Sequence, residues 1–467
     1  MIILGTNSIK DTGFDVANSC RFNSADNAYM GKTSSSNGTA TSGTFSCWIK
    51  RGNLGATSSI MSQVEDSSNF LILRFTSGNA LDLRWRDGGS GTDANLTTNR
   101  LFRDPSAWMN IVVKFLTSDG TGSNRVKIYI NGVQETSFSS SDYPTQNDPL
   151  YGNVSSGVYR IGDNGFGATG EDFDGYITEV VWLDGTSTTP TSFGEFDSDS
   201  GIWKPIDVSG LTFGTNGFYL DFEASGNLGN DANGGTDLTE VNLAATDQST
   251  DTCTNNFATM NPLDNFYNAA TFSEGNCQVV TSASPSSYNT STIGVSSGKW
   301  FFEVEADAFS TGNDYGLIGI SSTQTSSAYL GQNADDWALT NQGDLYNNNE
   351  EEDGSYGSTW SAGDIIGVAL NLDDNELKFY YNGAVENSGT AISITAAAST
   401  PLGAYFAAAG DFSGSGSHLL TTKWNFGASY PAAVSSGNTD ANGHGNFEYA
   451  VPSGHFAICT KNLAENS

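Results

Sequence analysis

The chain has 467 residues, with 52 Asp and Glu against 19 Lys and Arg and a formal charge of −33. A surface this acidic repels nucleic-acid phosphate and anionic lipid, so neither is expected as a partner. No apolar run reaches the roughly 18 residues that a membrane-spanning helix needs, so membrane insertion is not expected either. Hydrophobic residues still make up 37% and aromatics 12%, enough to bury sizeable cores.

The N-terminus, Met1-Ile2-Ile3-Leu4-Gly5, lacks the basic start of a secretory signal, and none is expected. Helical periodicity is almost absent beyond it. Short alternating runs separated by Gly, Asn, Asp and Ser predict antiparallel β-structure. In chain order they include Thr44–Ile49, Phe70–Phe75, Leu81–Trp85, Asn110–Phe115 and Tyr176–Trp182. Residues 110–132 (NIVVKFLTSDGTGSNRVKIYING) are echoed by residues 365–383 (IIGVALNLDDNELKFYYNG). Each has an apolar strand, an acidic turn, an alternating strand and a closing Asn-Gly. Asn131-Gly132 and Asn382-Gly383 predict two-residue hairpins, because a type I′ turn needs φ > 0 twice. One strand–hairpin unit used in each of two related domains accounts for the echo.

Residues 225–265 are rich in Asn, Asp, Gly and Thr, a linker composition. The expected division is therefore a first domain over 1–224, a bridge over 225–265, a second domain over 266–430 and a tail over 431–467 packing on it. The fold class expected is all-β, with two tandem antiparallel β-sandwiches of jelly-roll type. Five widely spaced cysteines, an odd number without a CxxC pair, predict neither a disulfide framework nor a zinc site. The three histidines, His418, His444 and His455, supply poor material for a His-based catalytic or metal site.

These segments resemble known families. The first half, with Phe102-Arg103-Asp104-Pro105-Ser106-Ala107-Trp108, Tyr129-Ile130-Asn131-Gly132 and Asp174-Gly175-Tyr176-Ile177-Thr178-Glu179-Val180, resembles a laminin-G-like jelly roll. The second half, with Ser297-Gly298-Lys299-Trp300-Phe301-Phe302-Glu303-Val304 and Ala362-Gly363-Asp364-Ile365 running on to Asp373, resembles a SPRY-type sandwich. Both families share the concanavalin A-like architecture. Their order, joined through residues 213–234 and 255–263, is similar to that of virion structural proteins of tailed bacteriophages: tail fibres, tail-tip appendages or head decorations. That resemblance implies a virion-surface protein assembled in the host cytoplasm and released by lysis. Its implied partners are other capsid or tail proteins and host-surface glycans, and its implied state is a homo-oligomer. No long repeats or heptads support a shaft, so a compact knob or decoration is expected, docking through residues 1–20 or through a sandwich face.

Concanavalin A-like folds include β-glucanases, so Glu303, Glu305 and Asp307 are the catalytic candidates. Their order, E-x-E-x-D, departs from the glucanase pattern. On a straight strand the outer pair lies about 13 Å apart, against about 5 Å for retaining chemistry. They are expected to form a solvated strand face, and the protein is expected not to be an enzyme. No cofactor is expected, with calcium the one ion the laminin-G resemblance allows. Its candidate oxygens are Glu171-Asp172, Asp184, Asp197-Ser198-Asp199 and Asp373-Asp374, none with EF-hand spacing. For glycan binding the candidates are Asp336, Trp337, Tyr346 and Asn348, an aromatic platform with polar neighbours in a SPRY-type loop region. The run Glu350–Asp353 is expected as a solvated loop tip. The competing functional reading is a purely structural decoration, with a glycan depolymerase third.

Overall fold

The strand Ser42–Arg51 turns Phe45, Cys47 and Ile49 inward, where they meet Ile111, Val113 and Phe115 of the neighbouring strand Met109–Leu116. This is the period-2 geometry of a pleated strand. The computed structural model describes residues 12–88, 92–166, 170–265, 268–282, 287–309, 316–323, 329–412, 419–428, 430–432 and 434–466. Residues 1–11 of the expected docking segment, and His418, lie outside them.

The chain divides after Thr254 into two compact units. In the unit formed by residues 12–254, one sheet runs in spatial order through Val133–Gln134, Val126–Ile130, Met109–Leu116, Ser42–Arg51, Gly175–Asp184, Ser19–Phe22 and Gln248–Ser249, and Phe218–Leu220 also pairs with Gly175–Asp184. The facing sheet runs through Phe138–Asp142, Thr92–Leu101, Ala80–Asp87, Asn69–Phe75, Ser58–Asp66, Val158–Ile161, Tyr29–Thr33 and Thr239–Val241. Leu71, Leu73, Phe75, Leu83 and Trp85 of this sheet close the core against the first.

The stretch 225–265, expected as a bridge, is instead divided between the two units. Thr239–Val241 pairs with Tyr29–Thr33, and Gln248–Ser249 pairs with Ser19–Phe22. Leu228 and Leu238 are buried in the core. Asp251 forms a fully buried ion pair with Lys50 (2.7 Å) and accepts from Trp108 Nε1 (2.9 Å). Turn-forming composition therefore marks loops between edge strands, with the few apolar side chains acting as anchors.

The unit over residues 255–466 contains two sheets of its own. The larger orders Thr271–Ser273, Gln278–Val280, Leu420–Asn425, Lys299–Phe309, Ile365–Asn371, Glu376–Tyr381 and Ala384–Val385. Ile392–Ser393 pairs with Glu376–Tyr381, and Phe456–Ala457 lies parallel to Lys299–Phe309. The smaller sheet orders Ser287–Val295, Tyr405–Asp411, Gly316–Ser321, Asp336–Thr340, Leu345–Asn347 and Glu350–Asp353.

Both predicted hairpins are present. Ile130 pairs with Val133 and Tyr381 with Ala384, leaving Asn-Gly as the two-residue turn. Asn131 and Gly132 have φ of 48° and 77°, and Asn382 and Gly383 have 45° and 81°, as a type I′ turn requires.

In each unit one sheet also has a covered outer face. Phe193, Val208 and Phe213 lie over Val112, Val181 and Leu183 in the first unit. Phe447 packs on Phe301 and, with Cys459, Phe257 and Ala369, forms the outer cluster of the second. Burial on both faces explains the uninterrupted apolar runs Ile111-Val112-Val113 and Trp300-Phe301-Phe302, which a half-exposed strand would not carry.

Candidate functional site

The predicted glycan residues lie on and beside the strand Asp336–Thr340, and alternation separates them. Trp337 and Leu339 face the main core, whereas Ala338 and its cross-strand partner Tyr346 belong to an apolar group on the outer face. Trp337 is half-buried, so it and Tyr346 cannot form one platform. Asp336 is fully buried. Its carboxylate accepts from Ser321 Oγ (2.7 Å) and Asn333 Nδ2 (2.6 Å). Burial pushes its carboxyl up to about 6, against the pull of those donors. Asp336 thus pins the preceding loop to the sheet and does not face solvent.

Tyr346 and Asn348 remain at the surface, with partners that no local pattern groups with them. Tyr346 shares the outer-face group with Tyr329. The Tyr329 ring lies 4.5 Å from that of Phe412, which is 39% exposed. Tyr329 donates to Asn349 Oδ1 (2.8 Å) and Tyr346 donates to Glu351 Oε2 (3.3 Å). Asn348 and Asn349, both exposed and at positive φ, form the two-residue turn between Leu345–Asn347 and Glu350–Asp353. Glu350–Asp353, expected as a loop tip, is a short exposed edge strand. The result is three part-exposed aromatic rings bordered by amides and a carboxylate. Tyr329 and Phe412 are 83 positions apart in sequence (412 minus 329), and sheet pairing brings them together, since Tyr405–Asp411 and Gly316–Ser321 are neighbours, which no local pattern announces.

The catalytic candidates are engaged elsewhere. Glu303 is buried, contrary to the solvated face expected for it. It accepts from the backbone amides of Glu448 (2.9 Å) and Tyr449 (2.8 Å) and from Asn425 Nδ2 (3.2 Å). Burial raises its carboxyl to about 7, with the two amides pulling it back. The reason is the C-terminal segment, which lies across this face and needs acceptors for its amides. Glu305 takes the hydroxyl of Tyr430, and both Glu305 and Asp307 pair with Lys423.

Residues 24–191 match the family model described as the concanavalin A-like lectin/glucanases superfamily (Laminin_G_3), and residues 299–421 match the SPRY domain model. The chain carries a laminin-G-type domain and a SPRY domain in tandem. Solved structures similar to it include the SPRY domain of human HERC1, at 17% identity over 35% of this chain and 96% of that one (TM-score 0.30). A putative carbohydrate binding protein from Bacteroides ovatus ATCC 8483 matches at 18% identity over 49% and 58% (TM-score 0.34). Domain 4 of AbnA, a GH43 extracellular arabinanase from Geobacillus stearothermophilus in complex with arabinotriose, matches at 19% identity over 33% and 65% (TM-score 0.26).

In the laminin-G-type domain most of the expected calcium oxygens already have donors. Asp184 accepts from the amides of Thr39 and Asn216, and Asp197 from those of Asp199 and Ser200. Glu171 accepts from Arg74 and Asn164. In the SPRY domain Asp373 accepts from Gly298 N and Asp374 from Lys299 and Asn371. Asp172 differs: it is buried, its Oδ2 receives no hydrogen bond, and the carboxyl of Asp163 lies beside it. Two facing carboxyls can bond only when one carries a proton. Burial and Asp163 together raise Asp172 to about 6. Calcium takes six to eight oxygens, and no group of three or more His, Cys, Asp and Glu among the described residues could hold a metal. Two carboxylates do not make that cage, and Asp163 already accepts from Arg160 and the Gly165 amide. No helix among the described residues is long and apolar enough to cross a membrane.

Proposed function

We propose that this chain is a non-catalytic surface protein of a phage-type particle that binds host-surface or environmental glycans. Concanavalin A-like domains of this kind are compatible with glycan binding. The observation that carries the reading is the Tyr329–Tyr346–Phe412 group beside the Asn348–Asn349 turn. Aromatic faces pack against the C–H faces of a sugar ring, while nearby amides and a carboxylate bond its hydroxyls. The particle context rests on the domain order and bridging segments read from the sequence. The absence of catalysis is part of the proposal, supported by the engagement of Glu303, Glu305 and Asp307 with amides, a hydroxyl and a lysine.

A glycan array read with the full chain, its Tyr346→Ala variant and its Phe412→Ala variant tests adhesion. Retention by the parent that falls in both variants supports it, and no retention at millimolar sugar sinks it. Antibody labelling of purified particles tests the location, and absence from particles overturns that half of the proposal.

A purely structural role is the second reading. It is favoured by Phe196, 52% exposed, which packs on Trp203, and by Val133, 60% exposed, next to the glycine that Trp203 covers. Apolar side chains presented this way suit contacts between copies or with other particle proteins.

A further inference from the structure

A second candidate site lies in the SPRY domain, on a different sheet from the aromatic group. The strand Glu376–Tyr381 sends Leu377 and Phe379 into the core, so alternation places Glu376, Lys378 and Tyr380 on the outer face. The C-terminal segment rises beside them with Pro452, Ser453 and His455, and together they enclose a cavity of about 220 Å³. That is smaller than the ~300–1,000 Å³ of drug-sized sites and suits one ring-sized group.

Its chemistry is unusual for so acidic a chain. Neither Lys378 nor Glu376 has a side-chain hydrogen bond or ion pair among the described residues. The other lysines of this unit that border acidic groups are engaged: Lys423 with Glu305 and Asp307, and Lys299 with Asp374. Burial lowers the proton affinity of His455, and the positive charges of Lys299 and Lys378 lower it further. The cavity wall thus carries one cation, Lys378, and one carboxylate, Glu376, while Lys299 near it is held by Asp374. The His455 Nδ1 lies 3.3 Å from the Ser453 carbonyl, to which it can only donate, so Nε2 is the ring atom left to accept from a ligand hydroxyl.

We infer that this cavity binds a hydroxylated ring bearing one carboxylate, a uronate-type sugar residue. Lys378 supplies the cation for the carboxylate. Tyr380 supplies an apolar wall for the ring. Glu376 and His455 are placed to bond hydroxyls. The choice of a sugar rests on the glycan-binding reading above, whereas the charge selectivity rests on the cavity alone.

The test is calorimetric titration of the full chain with D-glucuronate, D-glucose and acetate. Glucuronate is expected to bind with Kd on the order of 1 mM, with glucose and acetate each at least tenfold weaker. Lys378→Gln, at a half-exposed position, should weaken glucuronate about tenfold, and His455→Gln should preserve part of the binding. Equal affinities for glucose and glucuronate, or an unchanged affinity in Lys378→Gln, overturn the site. Acetate as tight as glucuronate overturns the sugar assignment. Glucuronate binding without retention on the array supports the cavity and counts against the adhesion reading. Retention on the array without glucuronate binding overturns the cavity alone.

Discussion

Asn131 and Asn382 do the same work in the two units. The Oδ1 of each accepts the backbone amide at the start of the preceding strand, Asn110 at 2.7 Å and Ile365 at 2.9 Å. The backbone amide of each donates to the carbonyl of that same residue, at 2.9 Å in both. An aromatic ring then lies over each turn glycine, Trp203 over Gly132 and Tyr449 over Gly383. The repeated sequence is thus a repeated hydrogen-bonded corner with an aromatic lid. Replacing Gly383 by Ala would force a Cβ into Tyr449 and a side chain onto φ of 81°. Positive φ costs about 1–3 kcal/mol in such a residue. Gly383→Ala and Gly132→Ala should each lower the unfolding free energy measured by urea titration by that amount, and Asn382→Asp should be milder. A neutral Gly383→Ala would show that the lid is not tight.

The buried Lys50–Asp251 pair anchors residues that read as linker. Removing one partner leaves an uncompensated charge in the core, which typically costs about 3–5 kcal/mol. Asp251→Ala should therefore destabilise the first unit strongly, and the double variant Lys50→Met with Asp251→Leu should recover most of the loss. Chemical denaturation followed by Trp fluorescence suits the measurement, because Trp108 donates to the same carboxylate. A single variant within 1 kcal/mol of the parent would mean that the pair is solvated.

Carboxyls raised by burial dominate the pH response, with His455, whose proton affinity burial lowers, opposing them as a single group. Asp172 and Asp336 are raised to about 6, Glu303 to about 7 and Glu179 to about 8, each chiefly by burial. In the unfolded chain such groups titrate near 4. Between about pH 4.5 and 8 the folded state therefore holds protons that the unfolded state has released, and stability falls as pH rises. It is fully present below the unfolded values. Groups held below the ordinary range, such as Asp237 and Asp374, which accept hydrogen bonds, act only at lower pH. Thermal unfolding should give a higher Tm at pH 5 than at pH 8, and Glu179→Gln should flatten the upper part of the curve. A Tm that rises across this window would contradict the assignment.

Glu179 also shows what the sequence could not announce. The run Tyr176–Trp182 reads as a regular strand and is one, but its register slips between Thr178 and Val181. Glu179 sits in that bulge with φ of 50°, buried against the Tyr219 hydroxyl. The extra residue reverses the in/out phase, so that Ile177 and Val180 both face the main core while Val181 faces the outer cluster; with apolar residues on both faces, that phase change is invisible to a periodicity argument. The strands, the hairpins and the two-domain order are legible because they are local patterns of period two and turn chemistry. Tyr346 and Asn348 are legible as polar and aromatic surface residues for the same reason. Tyr329, Phe412 and the tail over Glu303 are not, because long-range pairing brings them together. Trp337 and Asp336 show the converse, since composition names them and the pleat sends them to opposite sides.

The aromatic group makes a separable prediction. Tyr346→Ala and Phe412→Ala should weaken glycan retention by about tenfold each, or roughly 1.4 kcal/mol, with little change in Tm because both rings are part-exposed. Trp337→Phe should do the reverse, altering Tm and leaving retention unchanged. Retention lost equally in all three would point to a folding defect in place of a contact surface.

Each domain wraps one of its own sheet faces, with Phe193, Val208 and Phe213 in one and Phe447 and Cys459 in the other. Sheets without such wrapping can stack face to face when many copies are held close together. For those two faces that route to clumping is closed from within the chain, and crowded neighbours are left to meet through the other sheet of each domain, the rims and the loops.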